Sequence, residues 1–434
     1  MKIPHPTHLS VIARSAATRQ SSSSPLARSA PLLGKAPLAS PLTAPASILF
    51  VLYVLLVLFS ASALPAADPS RPTPLASSLP EGLYAEFTTP RGTVTAELFY
   101  TQAPLMCANF VSLSEGTREA KNGQPFYTGL TWYRVVPGFV LQSGNPGLRD
   151  TDALPKPVTP HFPDEFVPGL RHDAAGILSM ANAGPDTNSC EFFLTLAPTP
   201  RLNYLHSVFG RVVRGRELLP LIQQQDALAI KILRVGPAAQ AFRADATTFA
   251  TLSAAAKKYT AAREPGPTTH FDDPDHLIPT EPPRAKNFNY KLANFERATG
   301  TSIFARLLAK SPPDTDGRKL NNYLRDLAEK LGVLQNGALV LYIADRDEWK
   351  LWIGDATTAT FMGRPGTVKD FMQAGAFHTA KQALLTAAQA EGLAAYAAQK
   401  SAAPADKQPP PAQRLKLITD AVLDALIFKL EPKS

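Results

Sequence analysis

A mainly β region followed by a smaller α/β region, behind a basic leader, is the architecture this sequence predicts. Three observations carry it. Residues 84–100, YAEFTTPRGTVTAELFY, alternate apolar and polar side chains around Pro90-Arg91-Gly92, the pattern of a β-hairpin. Residues 130–145, LTWYRVVPGFVLQSGN, read as two short strands, 131–135 and 140–142, joined through Pro137-Gly138. Beyond residue 287, helix-like and strand-like runs alternate, as in α/β folds. A chain of 434 residues is too long for one ordinary domain, so two folded domains with linkers are expected.

The charge balance excludes one class of partner. The formal net charge is +8, but Lys2, Arg14, Arg19, Arg28 and Lys35 all precede the first acid, Asp68. Without those five, 39 basic residues face 36 acidic ones, and no basic stripe interleaved with aromatics is present, so no nucleic-acid partner is expected. Residues 1–47 are Ser-, Pro- and Ala-rich, and 48–59 are unbroken apolar residues followed by SASALPAAD. Positive segment, short apolar core and small residues at the cut are the layout of a secretory signal, with cleavage expected after Ala63 or near Ala67. An uncleaved leader tethering the chain to a membrane, a true start further downstream and an organelle transit peptide are the alternatives. The body is expected outside the cytosol, secreted or periplasmic, or else anchored to the membrane by the uncleaved leader. The two cysteines, Cys107 and Cys190, permit a disulfide but read as two buried thiols. No Cys/His cluster suggests a metal, and no cofactor is expected.

Taken in order, 68–82 is a Pro/Ser linker. Ala103-Pro104 opens a helix with Leu105, Ala108, Phe110 and Leu113 on its apolar face, ended by Gly116. Residues 145–172 form a long Pro-rich loop, 216–226 read as a second helix, and 230–235 as a closing strand. Within the apolar strand pattern stands Arg134, and a cation buried there would be costly without a partner.

That arginine does not stand alone. The block holding Arg134, then GILSMANAGPDTNSCEFFLT at 176–195 and LNYLHSVFG at 202–210, resemble the cyclophilins, peptidyl-prolyl cis–trans isomerases. Their pattern runs F-H-R-V-x-x-x-F-x-x-Q-G-G, then S-M-A-N-A-G-P-x-T-N-x-S-Q-F-F, then L-D-G-x-H-x-V-F-G. Three blocks in order and at matching spacing form a far more specific signal than any one of them. The resemblance implies a closed antiparallel eight-stranded barrel capped by two helices. It also implies proline-containing polypeptides as substrates, with Arg134 and Gln142 catalytic. Phe139, Val140, Phe193, Leu202 and His206 would line a slot for the proline ring, and Ala181, Asn182 and Glu191 would flank the peptide backbone.

Three departures from the family pattern matter. Glu191 stands where glutamine is usual, and an Arg134–Glu191 attraction would compete with substrate. Arg201 replaces a common tryptophan that helps to bind cyclosporin-type macrocycles, so weak affinity for them is expected. Val140 replaces a common methionine and narrows the slot.

The expected domains are a leader (1–67), a linker (68–82), the isomerase-like domain (83–240), a helix with a Pro-rich linker (241–286), an α/β domain (287–399), a linker (400–413) and a terminal amphipathic helix (414–431). An Ala-rich helix is expected over 238–263. In the α/β domain, 320–331 is helical, and ALVLYIADRDEWKLWIGD forms a hairpin turning at 345–348. A helix is expected over 379–399. The TG before a strand and this hairpin resemble the TPM domain, although the G-Y-G-L-E run that usually follows is absent. That resemblance implies an interaction or phosphatase-like module, with a protein partner for this half. Asp345, Asp347, Glu348 and Asp355 would be its acidic cluster, although they read more simply as a solvated turn. Against the isomerase stands a second class of function, a binding module or holdase of the same shape with little turnover.

Overall fold

The computed structural model describes residues 79–433 apart from 122, 147–158, 257–268, 279–283, 314–316 and 374. The leader therefore lies outside the described residues. Among them, no helix is long and apolar enough to cross a membrane.

The hairpin forms as β1 (Gly82–Thr89) and β2 (Gly92–Leu98), paired from Thr89↔Gly92 outward. Its turn needs a glycine, since Gly92 has φ +125°. Leu83, Ala85 and Phe87 are fully buried, one face of the pleat turned into the barrel. Helix α1 (Pro104–Glu115) starts on Pro104 and stops at Gly116, whose left-handed backbone lets its N–H bond Ser112 O. It covers the barrel interior with Leu105, Met106, Phe110 and Val111.

After a small ribbon, β3 (Ala120–Lys121) with β4 (Gln124–Pro125), come β5 (Leu130–Thr131), β6 (Arg134–Val136), β7 (Val140–Ser143), β8 (Ile177–Met180), β9 (Phe192–Thr195), β10 (Val208–Arg214) and β11 (Ala227–Val235). With β1 and β2, and without the β3–β4 ribbon, strands β5 to β11 make one curled antiparallel sheet of nine strands in the order β5-β11-β1-β2-β10-β8-β9-β7-β6. The two edge strands, β5 and β6, are separated in the chain only by Trp132 and Tyr133, so the edges of the sheet meet. Nine strands replace the expected eight because the run 131–135 changes partner midway. β5 pairs with β11 and β6 with β7. Between them Trp132 donates its N–H to Asp226 O and sinks its indole into the core, 6.1 Å from Phe192.

The second expected helix is also different. Residues 216–221 form only a 3₁₀ turn, because Pro220 lies inside it and Ile222 is already extended. Of the Ala-rich helix expected over 238–263, residues 257–263 lie outside the described residues, and the rest is two helices, α2 (Pro237–Ala241) and α3 (Ala246–Ala255), the latter capped by Asp245 accepting from Thr248 N–H.

The second region is built on a four-stranded sheet ordered β12 (Phe271–Asp272), β13 (Ile303–Leu308), β14 (Ala338–Ile343), β15 (Glu348–Ile353). Its first two pairings are parallel and its last antiparallel. Strand β12 lies in the stretch read as a Pro-rich linker. Helices α4 (Arg284–Thr299) and α5 (Gly317–Lys330) connect the strands, and every residue of β14 is buried. α6 (Thr358–Met362), α7 (Val368–Gln373), α8 (Ala376–Ala402) and α9 (Pro411–Leu430) complete it. Helices α8 and α9 touch so closely that a Cβ on Gly392 would lie 2.5 Å from the Ile418 backbone. The terminal helix, expected to be amphipathic, is buried along most of its length from Leu417 to Leu430. The acidic groups of the hairpin are engaged locally: Asp345 accepts from Ser311, Asp347 from Tyr342, and Glu348 pairs with Lys350.

The barrel and this region share buried groups. Glu431, just beyond α9 and 1% exposed, accepts from Gly169 N–H at 2.8 Å, from Arg171 Nε at 2.7 Å and from the Tyr204 hydroxyl. Arg297, in the last turn of α4, binds both oxygens of Asp186 and reaches Asp164 at 3.2 Å. Removing one member of such a buried set strands the others without partners. Glu431→Ala should therefore lower stability by about 3 kcal/mol in urea unfolding. A loss below about 1 kcal/mol would show that the junction contributes no more than a surface pair.

Candidate active site

Strand register assembles the site. Arg134 on β6 stands opposite Gln142 on β7, Gln142 opposite Phe193 on β9, and Phe193 opposite Ser179 on β8. Residues in register on antiparallel strands point to the same face. The neighbouring positions Val135, Leu141, Phe192, Leu194, Leu178 and Met180 fill the barrel core, so this row lies on the outer face. Arg134 is accordingly exposed, not buried within the strand as its apolar surroundings suggested. Its guanidinium Nη1 donates to Gln142 Oε1 at 2.9 Å.

Glu191 does not pair with Arg134. Its Oε2 accepts from Gln142 Nε2 at 2.9 Å and from the Tyr133 hydroxyl, and its Oε1 accepts from Asn145 Nδ2 at 3.2 Å. The competition expected between Glu191 and substrate for the arginine is absent. The carboxylate instead fixes which way the Gln142 amide faces: nitrogen toward Glu191 and Tyr133, oxygen toward Arg134. Burial and the negative neighbour push the Tyr133 hydroxyl far above its ordinary pKa, so it remains a donor.

The apolar residues expected to form the slot are all at least partly buried. Val140 and Phe193 are buried, while Phe139, Leu202 and His206 are half-buried. His206 stands edge-on to Phe193 with ring centroids 5.4 Å apart, and His172 is stacked against Phe193 at 5.8 Å. Burial lowers the His206 imidazole to about 4, so at neutral pH it is uncharged, its Nδ1 3.0 Å from Met180 O. A neutral ring extends the apolar wall and supplies no charge. Asn182 donates through Nδ2 to Leu205 O at 2.8 Å, tying the 181–188 loop to the far side of the slot, and Ala181 N–H bonds Glu191 O. Arg201 lies over the Phe139 ring, 4.3 Å from its centroid. Both cysteines are buried free thiols in the barrel core.

The structure brings the expected residues together in two places: Arg134, Gln142 and Glu191 form a polar network, and Phe193, in register with Gln142, stands against His206. Sequence reading passed over Tyr133, His172, Asn145 and Tyr204. Two of these carried a signal, since the family pattern has histidine before the arginine and glycine at the position of Tyr204.

The chain is similar to known proteins over this region. The family model for cyclophilin type peptidyl-prolyl cis-trans isomerase/CLD matches residues 84–236. The peptidyl-prolyl cis-trans isomerase ppi1 of Schizosaccharomyces pombe is 46% identical over 133 residues, covering 30% of this chain and 78% of its own. CYP18-2 of Arabidopsis thaliana, also named as such an isomerase, is 41% identical over 147 residues, 33% of this chain and 83% of its own. A crystal structure of a cyclophilin type isomerase from Cryptosporidium parvum aligns with TM-score 0.30 and 29% identity, covering 36% of this chain and 98% of that one. The chain belongs to the cyclophilin-type peptidyl-prolyl cis–trans isomerases. It is an enzyme of that reaction, the interconversion of cis and trans peptidyl-prolyl bonds.

Since the folded pKa of His206 lies below the ordinary 6.5, the ring takes up a proton only as pH falls through about 4. NMR titration should find its imidazole neutral throughout the range from about pH 8 to about pH 5. A midpoint near the ordinary histidine value would mean that the ring is solvated and not a wall of the slot.

Proposed function

We propose that Arg134 is the catalytic residue and that the slot beside it holds the proline ring. Rotation about the peptide C–N bond faces a barrier of ~20 kcal/mol, because the bond has partial double-bond character. At the top of that barrier conjugation is lost and the nitrogen lone pair becomes available as an acceptor. A guanidinium is always charged and carries fixed donors, so it offers a hydrogen bond that exists only when the amide is twisted. Interaction confined to the transition state raises the rate, whereas equal binding of both states does not. In this reading Phe139, Val140, Phe193, Leu202 and His206 grip the ring while Ala181 and Asn182 meet the preceding backbone. The polypeptide then turns about the imide while the ring stays fixed. Gln142 and Glu191 act on Arg134 and not on the substrate. The observation that carries this proposal is the register row, which sets a hydrogen-bonded arginine beside a buried phenylalanine on one open face.

The clients proposed are exported polypeptides whose folding waits on X–Pro isomerisation, a step of tens of seconds without a catalyst. The acid-free leader with its apolar core supports this compartment, whether it is cut or retained as an anchor. For the second region the TPM resemblance supports an interaction module or a phosphatase-like one. The holdase alternative requires only the slot, and the intact Arg134–Gln142 pair favours turnover over it.

A proline-peptide isomerisation assay on the full chain separates the two. Arg134→Ala should lower kcat/KM about 10²–10³-fold, as loss of a transition-state donor does elsewhere. Unchanged rates in that variant would remove the arginine from the mechanism.

A further inference from the structure

The segment that carries Leu202 and His206 is not held by the barrel alone. Tyr204, between them, has φ +58°, a left-handed backbone that a bulky aromatic residue rarely adopts. Its side chain leaves the barrel and enters the core of the second region, edge-on to Phe295 at 5.2 Å, with its hydroxyl on Glu431. Its carbonyl accepts from Asn294 Nδ2 at 2.7 Å. One edge of the slot is therefore anchored at both ends of a single residue by α4 and the end of α9.

Beyond that edge lies an open cleft of about 380 Å³. Arg201, Leu202 and Leu205 form its near wall, and Asn287, Phe288 and Gln413 belong to its far wall. Three features suit it to a peptide. It adjoins the proposed slot, because Leu202 lines the cleft and Arg201 on its wall lies over Phe139. Its volume falls within the range of small-ligand sites, roughly 300–1,000 Å³. Its walls mix apolar surface with side-chain amides, Gln413 bonded to Gln399 at 3.1 Å, and with charged groups, Lys291 paired to Asp424 and Lys416 to Asp420, so they offer a peptide backbone both donors and acceptors.

We propose that this cleft is a second binding site for the substrate, receiving the polypeptide segment that flanks the proline. The second region is then one wall of an extended active site, and the enzyme holds long unfolded chains more tightly than short proline peptides. This inference rests on the reading of Leu202 as part of the proline slot. Residues buried in the cleft add affinity without touching the imide, so they alter binding and leave the chemical step alone.

The test uses the full chain and two probes, a short peptide containing only the X–Pro unit with one neighbour on each side, and an unfolded proline-containing polypeptide. Asn287 is exposed on the far wall, so Asn287→Trp fills the cleft without disturbing a core. Calorimetric titration should show Asn287→Trp binding the polypeptide about tenfold more weakly, with its binding and turnover of the short peptide as in the wild type. Asn287→Ala, which leaves the cleft open, should bind the polypeptide like the wild type. Equal polypeptide affinity in wild type and Asn287→Trp would overturn the second site, whatever the turnover. Equal weakening in Asn287→Ala and Asn287→Trp would overturn it too, since blockage would not be the cause. Failure of the wild type to bind or turn over the short peptide would instead count against the proline slot.

Discussion

The site depends on a single amide being held one way round. Gln142 can present either its oxygen or its nitrogen to Arg134, and only the oxygen is useful to a cation. Glu191 decides the matter by accepting from Gln142 Nε2, and Tyr133 supports it by donating to the same carboxylate oxygen. The chain of donors and acceptors therefore runs from Tyr133 and Gln142 into Glu191, with Arg134 at the outer end. Such a network gains strength from each member, and loses it when any buried polar partner is left unsatisfied. Seen this way, Glu191 and Tyr133 form a matched pair: a carboxylate gives up an amide's donor, and a phenol supplies one.

Much of the barrel was legible because its signals are local. The hairpin at Pro90–Gly92 and the helix opened by Pro104 and closed by Gly116 announce themselves within a few residues. The same holds for the short connection through Gly138, which brings Arg134 opposite Gln142. What could not be read depends on partners far along the chain. Tyr133 and Glu191 are 58 positions apart, and Tyr204 and Glu431 are 227 apart. Strand β12 is too short to show a period and sits among prolines and acids that ordinarily mark a loop. The break at Trp132 was hidden too, since a strand that changes partner keeps its apolar character throughout.

The second region changes what the barrel is. An isomerase barrel needs nothing beyond its own strands to build a slot, yet here a tyrosine leaves that slot's edge for another core, and a buried glutamate receives it. Arg297 fastens the 181–188 loop at Asp186 from the same side. Both edges of the proposed substrate path are thereby tied to residues outside the span that the isomerase family shares. The barrel supplies the reaction, and the second region supplies hydrogen-bond partners for the loops beside it.

The most direct measurement of this account is the turnover of a proline peptide by Glu191→Ala. With the carboxylate gone, Gln142 is no longer oriented and Arg134 loses its fixed partner, so kcat should fall about tenfold with KM little changed, the cost of roughly one charged hydrogen bond. A rise in kcat would mean that Glu191 restrains the arginine rather than serving it, and would contradict the account.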